Sequence, residues 1–279
     1  KKIKNIGINL ITFKVKYSVL IFFKIIKIIK IIKSNNINTI HAWMYNSCII
    51  SIFLKLFLRK RKINILWAIR CSNMNVTYYS LKLRLNIFFC KIFSSLADKI
   101  IYNSYAGFRY HNKIGFNAKN AIVIQNGVDD KKFNFCIDTR KKLRKKFNLF
   151  NDDKVLLCVA RVDPMKGHSV LLNAFSFAVK QHKNLKLCLI GKGTEKFNKL
   201  ENVLVLGMIG DIESYYSMAD FIILPSLFGE GFSNVLVEGM LSKLFPISTD
   251  VGDNKLIIGE SGIIFSPNNM KLAIDTLEK

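Results

Sequence analysis

Four charged residues in the second half of the chain have types and spacings that could do chemistry. Glu230 and Glu238 enclose EGFSNVLVE (230–238), a glycine-led polar turn of the kind that starts a helix. A carboxylate accepts hydrogen bonds from paired hydroxyls, and a nucleotide sugar offers a hydroxyl-bearing ring at each end of its diphosphate. A helix beginning near Ser233 would put free N–H groups and a positive dipole end between the two acids, where an anion binds. Arg161 and Lys166, in ARVDPMKGH (160–168), bracket a strand–helix loop. Arginine can fork onto two oxygens of a diphosphate, and lysine acts as a point charge. The blander readings are dipole compensation for Glu230, a solvated helix face for Glu238 and a solvated loop for the two cations. In IGKGT (190–194), Gly191 and Gly193 would let a ligand approach the backbone, although the spacing fits neither G-x-G-x-x-G nor a P-loop.

These residues need strands to position them, and the apolar pattern supplies strands alternating with helices. INTIHAW (37–43) reads as a buried strand, followed by a helix over 46–58 and a strand over 63–70. A helix over 82–97 and strands over 98–104 and 121–127 complete the first series. Residues 129–152 turn polar, with one amphipathic helix, and place a domain boundary near 150. The alternation restarts with strands over 154–160, 185–191, 202–207, 220–226, 244–249 and 261–267. Helices are expected over 166–182, 211–219 and 233–243, with a last one after 267. The expected fold class is α/β, with two Rossmann-like doubly wound domains (1–150 and 151–279) and a cleft between them.

With 279 residues, half of them hydrophobic, the chain can build two cores. Six cysteines stand singly with no C-x-x-C, which argues against a disulfide framework or a zinc site. The net charge of +24 is unevenly spread: residues 1–150 carry 30 basic against four acidic residues, residues 151–279 carry 13 against 15. The first half is therefore expected to face something anionic, such as a membrane surface, a phosphorylated acceptor or nucleic acid. KIIKIIKIIK (24–33) cannot span a bilayer, because Lys24, Lys27 and Lys30 fall inside it. It reads as a packed surface helix with snorkelling lysines, or as a peripheral membrane contact.

Together, ARVDPMKGH, ILPSLFGEGFSNVLVEGM and STDVGDNKLIIGESGIIFSP resemble the group 1 (family 4) glycosyltransferases. Glu230 and Glu238 match that family's E-x7-E signature, and Arg161 and Lys166 its R-x4-K pair. HAWMYNS, LWAIRCSN, IIYNSYAGFRYHNKIGF and VIQNGVDDKKF are similar to members that build bacterial surface polysaccharides, including lipopolysaccharide. The resemblance implies a GT-B fold and metal-independent, retaining transfer of a hexosyl-type sugar from a nucleotide donor, with no cofactor. It implies that Glu238 holds the donor ribose and Glu230 the donor sugar, while Arg161 and Lys166 stabilise the leaving diphosphate. It further implies that the backbone of Gly231, Phe232, Ser233, Asn234 and Val235 caps that charge, that Gly191 and Gly193 lie against the donor, and that Met208 and Ile209 lie beside the base. Family members begin with a strand and glycine-rich loop and end with helices that cross back, so this chain is expected to start after the former and stop before the latter.

The expected partners are a nucleotide-diphosphate sugar, a glycan or lipid-linked acceptor and an anionic membrane, at the inner face of the cytoplasmic membrane. The alternative is a nucleotide-sugar-binding protein without transfer activity. Nucleic-acid binding would need stacking aromatics on an exposed basic face, and most of the phenylalanines fall in apolar runs that read instead as core.

Overall fold

The computed structural model describes residues 8–12, 20–197, 200–267 and 269. In the first domain four parallel strands, β1 (Thr39–Trp43), β2 (Asn64–Ile69), β3 (Lys99–Tyr102) and β4 (Ala121–Val123), lie in the order β1-β2-β3-β4. Parallel neighbours need crossovers, and the crossovers are α2 (Met44–Phe57), α3 (Leu81–Phe93) and α4 (Tyr105–Lys113), with α1 (Leu20–Ser34) leading in. The core centres on Trp67, Ile65, Ile69, Ile100 and Tyr102. The buried Trp67 indole N–H finds a partner in Ser51 Oγ at 3.0 Å.

KIIKIIKIIK lies within α1, and Ile25, Ile28, Ile29 and Ile32 supply the i, i+3, i+4, i+7 face that packs on the core. Two sequence expectations are corrected here. β1 is not a buried strand: only Ala42 is buried, because β1 lies at an edge of the described sheet with β2 as its one strand neighbour there. Nor are the phenylalanines of α2 and α3 all core, since Phe53, Phe57, Phe88 and Phe89 are exposed.

The second sheet contains β5 (Lys154–Val159), β6 (Leu185–Ile190), β7 (Val203–Gly207), β8 (Phe221–Leu224), β9 (Phe245–Thr249) and β10 (Ile263–Phe265). All pairings are parallel, in the order β10-β9-β8-β5-β6-β7. Strand alternation sends Leu156 and Cys158 to one apolar cluster and Val155 and Leu157 to the other, so both faces are covered. The covering helices are α5 (Ile137–Lys146), α6 (His168–Gln181), α7 (Glu213–Tyr216), α8 (Asn234–Leu241) and α9 (Asn254–Ile258).

α5 precedes residue 150, yet Phe133 and Leu143 pack into the second sheet's core. Its Arg140 donates through Nη1 to the carbonyls of Ser217, Met218 and Ala219 at 3.3, 3.1 and 2.8 Å, and through Nη2 to Asp220 at 2.6 Å. Those carbonyls are thereby claimed from outside, and α7 is a single turn in place of the helix expected over 211–219. The short α9 was not anticipated. The helix expected after 267 lies outside the described residues.

Candidate active site between the domains

The strand order of the second sheet reverses between β5 and β8. Crossovers there leave in opposite directions, so a crevice opens at their carboxyl ends. From β5 the chain passes Arg161 and Asp163, turns through Pro164–Lys166 and enters α6 at Gly167. From β8 it passes Ser226 and Glu230 into α8. Gly167 has φ 63°, and a Cβ there would lie 2.1 Å from the Pro225 carbonyl oxygen, so the two loops can abut only with glycine at this position. That contact brings Lys166 onto the β8–α8 loop.

Lys166 Nζ is paired with Glu230 Oε1, their side chains 16% and 8% exposed. Glu230 Oε1 also accepts from Ser226 Oγ at 2.5 Å. Ser233 Oγ lies 3.4 Å from Glu230 Oε2 and 2.5 Å from Asn254 Oδ1. Ser233 is the N-cap of α8 but makes no side-chain cap bond, so the first N–H groups of α8 keep donor capacity. Phe232, Ser233, Asn234 and Val235, with Lys166 and Glu230, line a cavity of about 220 Å³ at this helix end.

The other predicted residues do not line this cavity. Arg161 is not part of the cavity lining; its guanidinium is 60% exposed and donates to Asp163 Oδ2 at 3.1 Å. Burial pushes the Asp163 carboxyl up, but bonds from the Met165 N–H, the Tyr79 hydroxyl and Arg161 outweigh it and leave its pKa lowered. Glu238 is half-buried in α8 and accepts from Tyr216 Oη at 2.5 Å. Its pKa is raised, chiefly by burial and further by the charge of Glu213, against lowering by the Tyr216 bond and Lys132. Gly191 follows β6, where a Cβ would stand 2.1 Å from the Ala160 carbonyl oxygen. Gly193 follows in the same turn, and Met208, 75% exposed, and Ile209 follow β7. Gly231 sits beneath Asn103 of the first domain, whose Oδ1 would be 2.5 Å from a Cβ at that position.

The first domain closes the cavity with residues to which the sequence reading gave no role, although each lies in a stretch that carries the family resemblance. Arg70, just after β2, donates through Nη2 to Asn126 Oδ1 at 2.5 Å, and its guanidinium lies 4.8 Å from the Trp43 ring centroid. Asn126 in turn donates to Asn234 Oδ1 at 2.7 Å, joining the two domains. Asn103, after β3, is buried, and its Oδ1 has no hydrogen-bond partner. A buried acceptor without a partner at a cavity wall has capacity for a ligand donor. All three follow the carboxyl ends of strands, and the rule applied to the second sheet would have found them in the first.

Contacts flank the cavity on both sides. Tyr79 Oη donates to Asp163 Oδ1 at 2.9 Å, and Tyr78 stacks on Phe228 at 5.1 Å. On the other side, the Asp253 carboxylate of the second domain accepts from the Tyr105 and Ala106 N–H groups of α4 at 2.7 and 2.8 Å. A carboxylate at a helix N-terminus satisfies orphan donors and complements the dipole. Among the described residues no group of three or more His, Cys, Asp or Glu could hold a metal ion.

Residues 153–279 match the family model "Glycosyl transferases group 1". They form a group 1 glycosyltransferase domain. The chain is 28% identical over 201 residues to the capsular polysaccharide biosynthesis glycosyltransferase CapM of Staphylococcus aureus, which covers 67% of this chain and 50% of that protein. Over 107 residues, 35% of this chain and 28% of the relative, it is 34% identical to the N-acetylgalactosamine-N,N'-diacetylbacillosaminyl-diphospho-undecaprenol 4-alpha-N-acetylgalactosaminyltransferase of Campylobacter jejuni. The chain thus spans half of the first relative's length and less of the second's. The crystal structure of Anabaena Alr3699/HepE with UDP and glucose superposes with a TM-score of 0.83 at 19% identity, covering 100% of this chain and 78% of that one. Sucrose-phosphate synthase from Thermosynechococcus elongatus gives 0.74 at 21% identity, covering 95% and 70%. The two parallel-sheet domains together have the GT-B fold of these structures.

Proposed function

We propose that the chain belongs to a retaining glycosyltransferase of cell-surface glycan assembly, moving a hexosyl-type sugar from a nucleotide diphosphate to a lipid-linked or polysaccharide acceptor. The observation that carries this reading is the Lys166–Glu230 pair beneath the open N-terminus of α8, facing Arg70 and Asn103 across the cavity. As the bond from the sugar's anomeric carbon to the diphosphate breaks, negative charge grows on the leaving oxygen. Preorganised cations and N–H groups aimed at that charge lower the barrier without reorganising. Lys166 and the N–H groups of Gly231 to Val235 supply them, with Arg161 turning in from Asp163. Glu230 accepts from hydroxyls of the donor sugar and Glu238 from those of the ribose; Gly191, Gly193, Met208 and Ile209 bound the base end. No metal ion or cofactor is invoked. The names of the relatives, a capsular enzyme and a diphospho-undecaprenol enzyme, support the acceptor class. The basic first domain would then sit at the inner face of the cytoplasmic membrane.

A thermal-shift panel of UDP, GDP, CDP and ADP tests the donor site. UDP-glucose accompanies a structural neighbour, so UDP comes first. One nucleotide at about 100 times its Kd is expected to add about 2.7 kcal/mol, a rise of several degrees that Glu238→Ala abolishes. No shift with any of the four would sink the reading. Because the Glu238 pKa is raised and the ribose needs the carboxylate, the nucleotide-induced shift is expected to weaken as pH falls through that raised value. Linkage in the ligand-free chain has the opposite sign: the stabilising contribution is full below the ordinary glutamate pKa and is lost as pH rises through the folded one.

A further inference from the structure

Two adjacent helices of the first domain carry an apolar surface that stays exposed among the described residues. On α3, Leu83, Ile87 and Cys90 face the core. On the opposite side Leu81, Leu85, Phe88, Phe89 and Ile92, at i, i+4, i+7, i+8 and i+11, form a continuous stripe, each residue 42–67% exposed. α2 adds Phe53, Leu56 and Phe57, 44–57% exposed, and an edge-on Phe53–Phe93 contact at 6.5 Å joins the two helices. An ordinary solvated helix is polar on its outer side, and a patch of this kind marks an interaction site.

Charge says what it meets. No aspartate or glutamate occurs in residues 1–97. Arg84 and Lys91 are exposed on α3, and the exposed run Arg59, Lys60, Arg61, Lys62 follows α2. There a cavity of about 670 Å³ is lined by Leu56 and Leu96 together with Arg59, Arg61 and Lys62, its one acid, Asp98, being paired with Lys55. Large apolar side chains flanked by cations of one sign are the pattern of a helix lying in the headgroup region of an anionic bilayer. Stacking of nucleic-acid bases fits less well. Leu81, Leu85, Ile92 and Leu56 offer no ring, and Phe88, Phe89 and Phe93 contact one another at 5.7 and 6.3 Å, which uses ring surface that a base would need.

We infer that the α2–α3 face is a membrane-docking surface for anionic phospholipid, with acyl chains against the stripe and headgroups against Arg59–Lys62. Leu81 begins α3 two residues after Tyr79, which bonds Asp163 at the cleft, so the docked face runs from the bilayer up to the cavity mouth. This deepens the proposed function, on which it rests for the lipid-linked acceptor.

The test is co-sedimentation of the full chain with phosphatidylcholine vesicles, with and without phosphatidylglycerol. Binding is expected only to the anionic vesicles and is expected to weaken with added salt. It should fall at least tenfold in Leu85→Ser/Phe88→Ser and, separately, when residues 59–62 are all changed to glutamine. The UDP shift, measured on the same variants, should persist; its loss from the unmutated chain would count against the donor site and leave the docking result standing. Unchanged vesicle binding in both variants would overturn the inference. So would a dimer that Leu85→Ser/Phe88→Ser dissolves, which would give the face to a second copy, or homopolymeric RNA that displaces the vesicles.

Discussion

Replacing Lys166 by methionine is expected to lower kcat of the complete enzyme by about 10²–10³, the effect of removing one preorganised donor from a developing charge. The same substitution is expected to cost about 3 kcal/mol of stability, because it leaves the buried Glu230 carboxylate without its cation. The lower end of the usual range applies, since Ser226 Oγ still donates to that carboxylate. The two losses separate in a cycle. Glu230→Gln removes the orphaned charge, so the double variant Lys166→Met/Glu230→Gln should recover most of the stability and none of the rate. Urea denaturation of the four proteins reads the first quantity, and initial rates read the second. Strictly additive stabilities would mean that the pair is not formed in solution. An unchanged kcat in Lys166→Met would remove the lysine from the leaving-group role.

That Lys166 and Glu230 meet at a crevice was legible because parallel sheets put ligands at strand ends, and each lies one loop beyond a strong apolar run. What the local pattern did not carry was direction. Lys166 and Arg161 look equivalent in sequence, yet the Gly167–Pro225 approach turns the first onto Glu230, while Asp163 holds the second outward. Arg70, Asn103 and Asn126 follow strands as ordinary polar residues, and only the facing of the domains gives them a shared cavity. α7 was overestimated because its limit is set by Arg140, far away in sequence. The outward faces of α2 and α3 were misjudged for a different reason. An all-apolar run states that a helix is apolar, not which side has a partner.

Acidification is expected to weaken the first domain by about 3 kcal/mol between pH 7 and 4, through one side chain. His111 is fully buried, and burial lowers its pKa to about 4, against a smaller raising effect of the Gly107 carbonyl. Nδ1 lies 2.7 Å from that carbonyl and Nε2 2.7 Å from Tyr45 Oη. With the Nδ1 proton donated to Gly107, neutral Nε2 accepts from the tyrosine; a proton on Nε2 would destroy that bond, and the nearest alternative acceptor for Tyr45 is Cys71 Sγ at 3.3 Å. The sign follows. A lowered histidine pKa gives stability that is complete above about 6.5, the unfolded value, and lost as pH falls towards the folded one. His111→Gln should therefore be less stable than the parent at pH 7, and the gap should close on approaching pH 4; a gap constant with pH would overturn the assignment. The consequence reaches the cleft, because His111 ties α4 to Tyr45 of α2 and Asp253 holds the first N–H groups of α4 from the other domain. Protonating one buried imidazole therefore loosens the helix on which the domain contact is built, and the nucleotide-induced thermal shift should fall in His111→Gln at pH 7 as it does in the parent at acid pH.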